Sequence, residues 1–269
     1  MWLCAIMSRA ARGSAGVARR AGLILMGDNA SPTGDPQEPA LQVLLRVIAS
    51  RDRSKASRLL AESPPLARRA IEAGATREAA REYYFEEISH YVYAGDTALH
   101  VAAAAYDARI AAELVARGAN VRARNRRGAE PLHYAADGVP GSDAWDPDAQ
   151  HATVEFLIQA GANPNSADTN GVAPLHRAVR TRCTAAVRAL LLNGADALAR
   201  NKSGSTPLHL AVRNTGRGGT GSAASREEQK AIIRLLLEHG ARPSDKDSAG
   251  RSVERCVKAD WIRALLSQA

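Results

Sequence analysis

The chain carries one short pattern four times, and this recurrence restricts the possible folds more than any other feature of the sequence. Each copy has an alanine or proline, then leucine, then histidine, and a glycine stands shortly before it. The copies occupy residues 97–100, 130–133, 173–176 and 206–209, after Gly95, Gly128, Gly171 and Gly204. These glycines are 33, 43 and 33 residues apart. Such a period indicates stacked units, because a single unit cannot bury its apolar face alone.

The second half of each unit has its own signature. A Gly-Ala step follows each of four apolar stretches, at Gly118, Gly161, Gly194 and Gly240. Leucine and valine recur at helical spacing in these stretches, which predicts helices over 111–117, 154–160, 187–193 and 232–239. A glycine just past a helix suits a left-handed terminating position. The pattern predicts a short helix, a turn, a longer helix and an extended finger in each unit.

The 33-residue period and the Thr-Pro-Leu-His signature resemble the ankyrin repeat. The resemblance covers 95–250, and more loosely 40–94 and 251–269, although Ala98, Glu130 and Ala173 depart from the Thr-Pro pair. It implies an all-α solenoid of helix-turn-helix units joined by β-hairpin-like fingers, with a helical cap at each end. In this family the motif histidine hydrogen-bonds the backbone between units, so the four histidines are not expected to bind metal.

The predicted domains are a disordered tail and linker over 1–39, a helical cap over 40–94 and the repeat domain with its closing cap over 95–269. Helical spacing starts at Ala40, Pro64-Pro65 ends the run, and a second helix is predicted over 77–89. That second run is rich in aromatic residues, with Phe85 among four tyrosines: Tyr83, Tyr84, Tyr91 and Tyr93. They either seal the open end of the first unit or form a binding patch.

Two units carry insertions between their helices. The motif histidine and the Gly-Ala glycine are 18 residues apart in the first and third units, but 28 in the second and 31 in the fourth. Asp146-Pro147 is a helix start in the first insertion, and Trp145 either tucks back onto its own repeat or anchors a partner. The second insertion, glycine-rich over 216–221, is expected to be a flexible connector rather than an anion site. Ser225 and Glu228 have the spacing of a capping box after it.

The ends and cysteines bear on location. Residues 1–27 contain four arginines and no acidic residue, which resembles a transit peptide, but a flexible tail or a start at Met26 is the preferred interpretation. Three widely spaced cysteines are typical of a reducing compartment. No apolar run is long enough to span a membrane. We therefore expect a cytoplasmic protein, and the alanine- and arginine-rich units resemble bacterial ones.

The ankyrin resemblance also identifies a groove by register. The groove-facing positions on the first helices are expected to include Val101, Ala104 and Ala105, then Tyr134, Asp137 and Gly138, then Arg177, Arg180 and Thr181, then Leu210, Arg213 and Asn214. Fingers add Arg122, Arg124, Arg126, Arg127, Arg200 and Lys202. The sequence predicts a basic groove with apolar or aromatic spots at Val101, Tyr134 and Leu210. A solvated charged surface is the alternative interpretation.

These observations predict a non-enzymatic module that binds an acidic protein segment. No catalytic residue, metal ligand or cofactor is predicted, and the chain is expected to be a monomer. The predicted partner-binding residues are Arg124, Arg126, Arg127, Tyr134, Trp145, Arg177, Arg180, Leu210 and Arg213. Salt-dependent binding of nucleic acid or another polyanion is the alternative. Two observations do not favour this alternative. The net charge of +8 includes four arginines in the first 27 residues, and aromatic residues are few.

Overall fold

The computed structural model describes residues 38–143, 145–213 and 222–268. The predictions for the arginine-rich tail and for the glycine-rich stretch 216–221 lie outside the described residues, as does Asn214. Twelve α-helices and one two-stranded sheet make up the described part. The chain is therefore an all-α solenoid, and one continuous apolar core extends from α1 (Glu38–Ala49) to α12 (Asp260–Leu266).

The first helices form the N-terminal cap. Helix α1 (Glu38–Ala49) buries Leu41, Leu44, Leu45 and Ile48, because these residues recur at the spacing of one helix face. It packs against α2 (Arg53–Glu62), whose first turn is capped by Asp52. A 3₁₀ helix over Pro64–Arg68 follows. Glu38 is the first described residue, so the predicted boundary at residue 40 stays a prediction.

The helix predicted over 77–89 is wrong. Two short strands, β1 (Tyr84–Phe85) and β2 (His90–Tyr91), pair in an antiparallel hairpin around a 3₁₀ turn over Glu86–Ile88. Aromatic side chains favour strands, and only Phe85 and Val92 turn inward while their neighbours stay partly exposed. Ser89, with φ of 49°, ends the turn in the left-handed region and directs His90 into the second strand. The predicted helical cap over 40–94 is therefore helical only in its first part.

The repeats form two layers of helices. The first helix of each unit lies in the inner layer: α3 (Ala98–Ala104), α5 (Pro131–Ala136), α7 (Pro174–Thr181) and α9 (Pro207–Ala211). The second lies in the outer layer: α4 (Ala108–Ala116), α6 (Pro147–Gln159), α8 (Thr184–Leu192) and α10 (Ala223–Glu238). Each helix packs on its partner and on the next helix of its own layer. Stacking therefore supplies the core, as the repeat pattern predicts.

Each finger is fixed by one side chain. Asn125, Asp168, Asn201 and Asp247 each accept two backbone N–H bonds, from residues two and four positions later. The turn then has a positive φ three residues after each acceptor, and that residue is a glycine in all four: Gly128, Gly171, Gly204 and Gly250. At Gly171, φ is 70° and a Cβ would lie 2.9 Å from the amide nitrogen of Lys202 in the next finger. Glycine is thus required both by the turn and by the packing of the fingers.

The C-terminal end closes the stack. Helices α11 (Val253–Cys256) and α12 (Asp260–Leu266) bury Val253, Ile262 and Leu266 against the last repeat. Helix α10 begins earlier than the capping-box spacing predicts. Its N-cap is Ser222, whose hydroxyl accepts from the amide of Ser225, so Ser225 lies inside the first turn. The predicted start at Asp146 is confirmed, since its carboxylate accepts from the amides of Asp148 and Ala149.

Candidate functional site

The four motif histidines link neighbouring units, as the family resemblance implies. The Nδ1 atom of each accepts from the amide three residues before it, at 3.1–3.2 Å. This bond leaves the proton on Nε2, which donates to a carbonyl of the next unit. Those carbonyls belong to Ala129, Val172, Ser205 and Arg251, at 3.0–3.2 Å. The histidines are structural, and each is buried.

The inner-helix face, meaning the surface of α3, α5, α7 and α9 with the adjoining finger turns, holds most of the predicted site residues. The prediction of exposed apolar spots at Val101 and Tyr134 is wrong, because these side chains are 0% and 2% exposed. The Tyr134 hydroxyl donates to Asp96 at 2.7 Å, and Asn125 also bonds both groups. Tyr134 is therefore part of the core between the first two repeats.

The hairpin covers this part of the inner-helix face. The imidazole of His90 stacks on the Tyr134 ring, with 4.1 Å between centroids and 24° between planes. Its Nε2 lies 3.9 Å from Oδ2 of Asp137 at the end of α5. Tyr84 and Tyr91 pack together on the hairpin, with ring centroids 4.8 Å apart. Sequence reasoning missed this cover because it predicted a helix there.

Asp137 joins the second repeat to the third. Its carboxylate lies 3.2 Å from the guanidinium of Arg177 and 3.4 Å from that of Arg180, both on α7. Arg177 also reaches Asp168 in the finger, at 3.4 Å. Arg177 is buried, so its charge is matched within the protein, whereas the Arg180 side chain is 58% exposed. Of the two predicted groove arginines on α7, only Arg180 presents its charge to solvent.

The charge state of Asp137 follows from these neighbours. Burial by itself raises a carboxyl pKa, since it penalises the charged form. The neighbouring His90, whose Nε2 lies 3.9 Å away, and the charges of Arg177 and Arg180 together outweigh burial, so the pKa of Asp137 is held well below its usual range. Asp137 is therefore an anion over the physiological pH range and keeps both arginines in place.

The finger arginines contact their own chain. Arg124 donates to the carbonyls of Gly128 and Ala167, and Arg126 to that of Ala75. Arg127 donates to the hydroxyl of Tyr93 at 2.8 Å and lies over its ring. Arg124 and Arg126 are nevertheless exposed on one side. These bonds orient the arginines along the edge of the first two fingers.

Trp145 takes the first of its two predicted alternatives and folds back onto its own repeat. Its indole N–H donates to Oε1 of Gln150 at 3.0 Å, and the residue is half-buried. Gln150 in turn donates to the carbonyls of Ala135 and Asp137, at 2.9 and 3.1 Å. The first insertion is thereby tied to α5 where it begins.

A second glutamine makes the same pair of bonds at the end of α9. Gln229 donates to the carbonyls of Ala211 and Arg213, at 2.6 and 3.1 Å. Both glutamines stand 11 residues before the glycine of their Gly-Ala step, where the units without insertions have Asp107 and Cys183. That shared register is a sequence signal that the motif analysis missed. In each insertion-bearing repeat the glutamine carboxamide thus donates to two backbone carbonyls of the same repeat, and this pair of bonds is here named the carboxamide clamp.

The third and fourth repeats expose basic side chains to solvent on the inner-helix face. Arg180 and Arg213 stand four residues after their motif histidines, and both are exposed. Leu210 lies between these arginines in the chain and is half-buried. Arg200 and Lys202 are exposed in the adjoining finger. The open part of the inner-helix face is therefore basic with one apolar contact.

Comparison with known families agrees with this architecture. The sequence matches the ankyrin repeat over residues 94–126, and a three-copy ankyrin-repeat family over residues 148–247. The chain belongs to the ankyrin-repeat family. The stretch between the two matches holds the second motif copy and the first insertion of this ankyrin-repeat protein. A search of curated proteins finds no match.

Ankyrin repeats are generally protein–protein interaction modules, and members of the family are typically non-enzymatic. Within residues 38–268, apart from Ala144 and 214–221, no helix of this ankyrin-repeat protein has the length and apolarity to cross a membrane. The same described residues contain no cluster of three histidine, cysteine or acidic side chains placed to hold a metal ion. The inner-helix face therefore presents an exposed surface with positioned arginine side chains.

Proposed function

We propose that this protein is a non-enzymatic module that binds an acidic protein segment along the inner-helix face of its third and fourth repeats. The observation that carries the proposal is the pair of exposed arginines, Arg180 and Arg213, at equivalent positions of successive repeats. Packed helices lie about 8–10 Å apart, so an extended segment crossing both repeats meets two guanidinium groups in turn. Leu210 supplies an apolar contact between them.

The chemistry of arginine favours a carboxylate ligand. A guanidinium presents five donors in a planar fork that matches a carboxylate in two parallel bonds. Arg180 uses one side of its fork on Asp137, at 3.4 Å, which orients the rest of the group. A partner carboxylate therefore meets a positioned donor. Charges of this kind raise the rate of association and the specificity more than the affinity.

The finger arginines Arg124, Arg126 and Arg127 extend the proposed contact along the edge of the first two repeats. Trp145 belongs to the same proposal as an edge contact, since its side chain is only partly buried. Arg177 and Tyr134 act indirectly in the proposal. Their burial means that they support the surface rather than touch the partner.

The test is capture of partners from native cell extract by the full chain, with and without nuclease. Three forms are compared: the natural chain, an Arg180→Glu/Arg213→Glu variant, and an Arg188→Glu/Arg234→Glu variant that makes the same charge change on exposed positions of the outer helices. The proposal expects a protein captured by the first and third forms and lost with the second. Capture that disappears with nuclease alone replaces it with the nucleic-acid alternative, and a steep loss of binding with salt agrees with that outcome.

A further inference from the structure

Residues 72–93, here named the strap, leave the cap and cross the inner-helix face of the first two repeats. The strap is tied at its base by two backbone bonds of 2.8 Å. The amide of Ile71 donates to the carbonyl of Asp96, and the amide of Gly95 donates to the carbonyl of Ile71. At its far end, His90 stacks on Tyr134 of α5 and approaches Asp137. Arg46 of α1 also donates to the carbonyl of Glu82, and the finger arginines donate to the carbonyl of Ala75 and the hydroxyl of Tyr93. The strap is thus a hinged segment held at its sides by arginines, and the stacking of His90 is its aromatic contact with α5.

The interior of the strap is thin. Gly74, Ala75, Phe85 and Val92 are its only buried residues. Besides the pairing of β1 with β2, the backbone bonds from Ala75 to Val92 and from Val92 to Tyr83, both at 2.8 Å, hold the two sides together. An isolated two-stranded hairpin is marginal in water. Segments with few buried apolar contacts open at much lower free energy than the core does.

The helices beneath the strap have the opposite character. Every residue of α3 is buried, and so is every residue of α5. Below the His90 ring, Tyr134 is bonded to Asp96 and Asn125, which hold its ring in position without the strap. The platform is therefore built by the repeats themselves, and the strap lies on it.

We propose that the strap opens as a unit from the first two repeats, and that the stacking of His90 on Tyr134 is the latch that keeps it closed. Opening uncovers the face of the Tyr134 ring beside the Asp137 carboxylate. This surface suits a flat side chain that stacks and donates a hydrogen bond, which is the chemistry of an imidazole or a guanidinium. Arg180 and Arg213 are exposed with the strap closed, so this inference is independent of the proposed acidic partner.

The experiment is hydrogen–deuterium exchange of the full chain, read by mass spectrometry on peptides from the strap and from α7 and α8. The natural chain is expected to exchange faster in the strap than in α7 and α8. His90→Ala is expected to raise exchange in the strap about two- to tenfold, the equivalent of one aromatic contact, with α7 and α8 unchanged. His90→Phe keeps a ring over Tyr134 and is expected to restore most of the protection.

A matched control is His151→Ala on α6, a half-buried histidine that pairs with Glu155 at 3.4 Å and lies away from the strap. It is expected to leave exchange in the strap as it is in the natural chain. The inference is overturned if the strap exchanges as slowly as α7 and α8, or if His90→Ala changes nothing. It is also overturned if His90→Ala accelerates all helices equally, or if His90→Phe behaves as His90→Ala does.

Discussion

The guanidinium of Arg177 lies 3.2 Å from the carboxylate of Asp137, and this pair is enclosed between the second and third repeats. It joins two inner helices through charge as well as through apolar packing. Arg180, one helical turn later, reaches the same carboxylate from the solvent side. One aspartate at the start of an insertion therefore sets the positions of two arginines, of which one supports the surface and the other belongs to it.

Replacing these two arginines with alanine is therefore expected to lower the free energy of unfolding by different amounts. Arg177→Ala removes a buried guanidinium from between the carboxylates of Asp137 and Asp168, so the free energy of unfolding is expected to fall by about 3–5 kcal/mol. Arg180→Ala removes a largely exposed pair and is expected to cost about 0–1 kcal/mol. Urea denaturation of both variants measures the difference. Equal costs would show that the Arg177 pair is not enclosed as described.

The stacking core predicts the effect of truncating leucines. Leu175 and Leu208, 1% and 0% exposed, occupy the same motif position in successive repeats. Replacing either with alanine is expected to lower the free energy of unfolding by about 2–5 kcal/mol, through lost burial and the cavity that remains. Leu192→Ala is the control, because that leucine is 69% exposed. A larger loss at Leu192 than at Leu175 in denaturant titration would contradict the assignment of the layers.

The buried histidines predict how stability depends on pH. Burial lowers the pKa of His100, of His176 and of His133, the last to about 3. The unfolded chain, with histidine pKa values of about 6.5, therefore binds more protons below that pH, and the stability present above it is lost as the pH falls. Between about pH 7.5 and 5.5 His133 is expected to cost about 1.4 kcal/mol, and His100 and His176 add to the loss in the same direction.

The measurement is urea denaturation at the two pH values, where carboxylates stay ionised. His133→Gln keeps a donor and an acceptor but does not titrate, so its loss of stability is expected to be smaller than that of the natural chain by about 1.4 kcal/mol. A natural chain equally stable at both pH values would show that these histidines are accessible to protons in the folded state.

The carboxamide clamps predict that the insertion-bearing repeats depend on one glutamine each. Gln150→Ala or Gln229→Ala removes two hydrogen bonds, and each substitution is expected to cost about 1–3 kcal/mol. Tyr106 still donates to the carbonyl of Asp137, and Arg182 still donates to those of Ala211 and Arg213, so the loss is that of the glutamine bonds alone. Gln42 is exposed on α1, so Gln42→Ala is expected to change stability by less than about 0.5 kcal/mol. Thermal unfolding of the three variants compares them directly. Indistinguishable midpoints would remove the structural role of the clamps.

The repeat spacing was enough to predict the fold, because the glycines, the motif and the Gly-Ala steps are local requirements of each turn. Both insertions and the helix start at Asp146 follow from the same local rules. The hairpin was missed because Tyr83 to Tyr93 has no clear period, and its conformation depends on packing against Tyr134, which is distant in sequence. Register alone likewise placed Tyr134 and Arg177 on the surface, because it takes no account of the hairpin that lies on Tyr134 or of the two carboxylates that pair with Arg177.

The central claim is that Arg180 and Arg213 bind an acidic protein segment. The most direct test is to measure the dissociation constant of a captured partner segment. Titration by fluorescence anisotropy compares the natural chain with the Arg180→Glu/Arg213→Glu and Arg188→Glu/Arg234→Glu variants. The account predicts binding weakened about tenfold or more in the first variant, as expected when two arginine–carboxylate contacts become repulsive, and nearly unchanged binding in the second. Equal affinities in all three, or equal weakening in both variants, would contradict it.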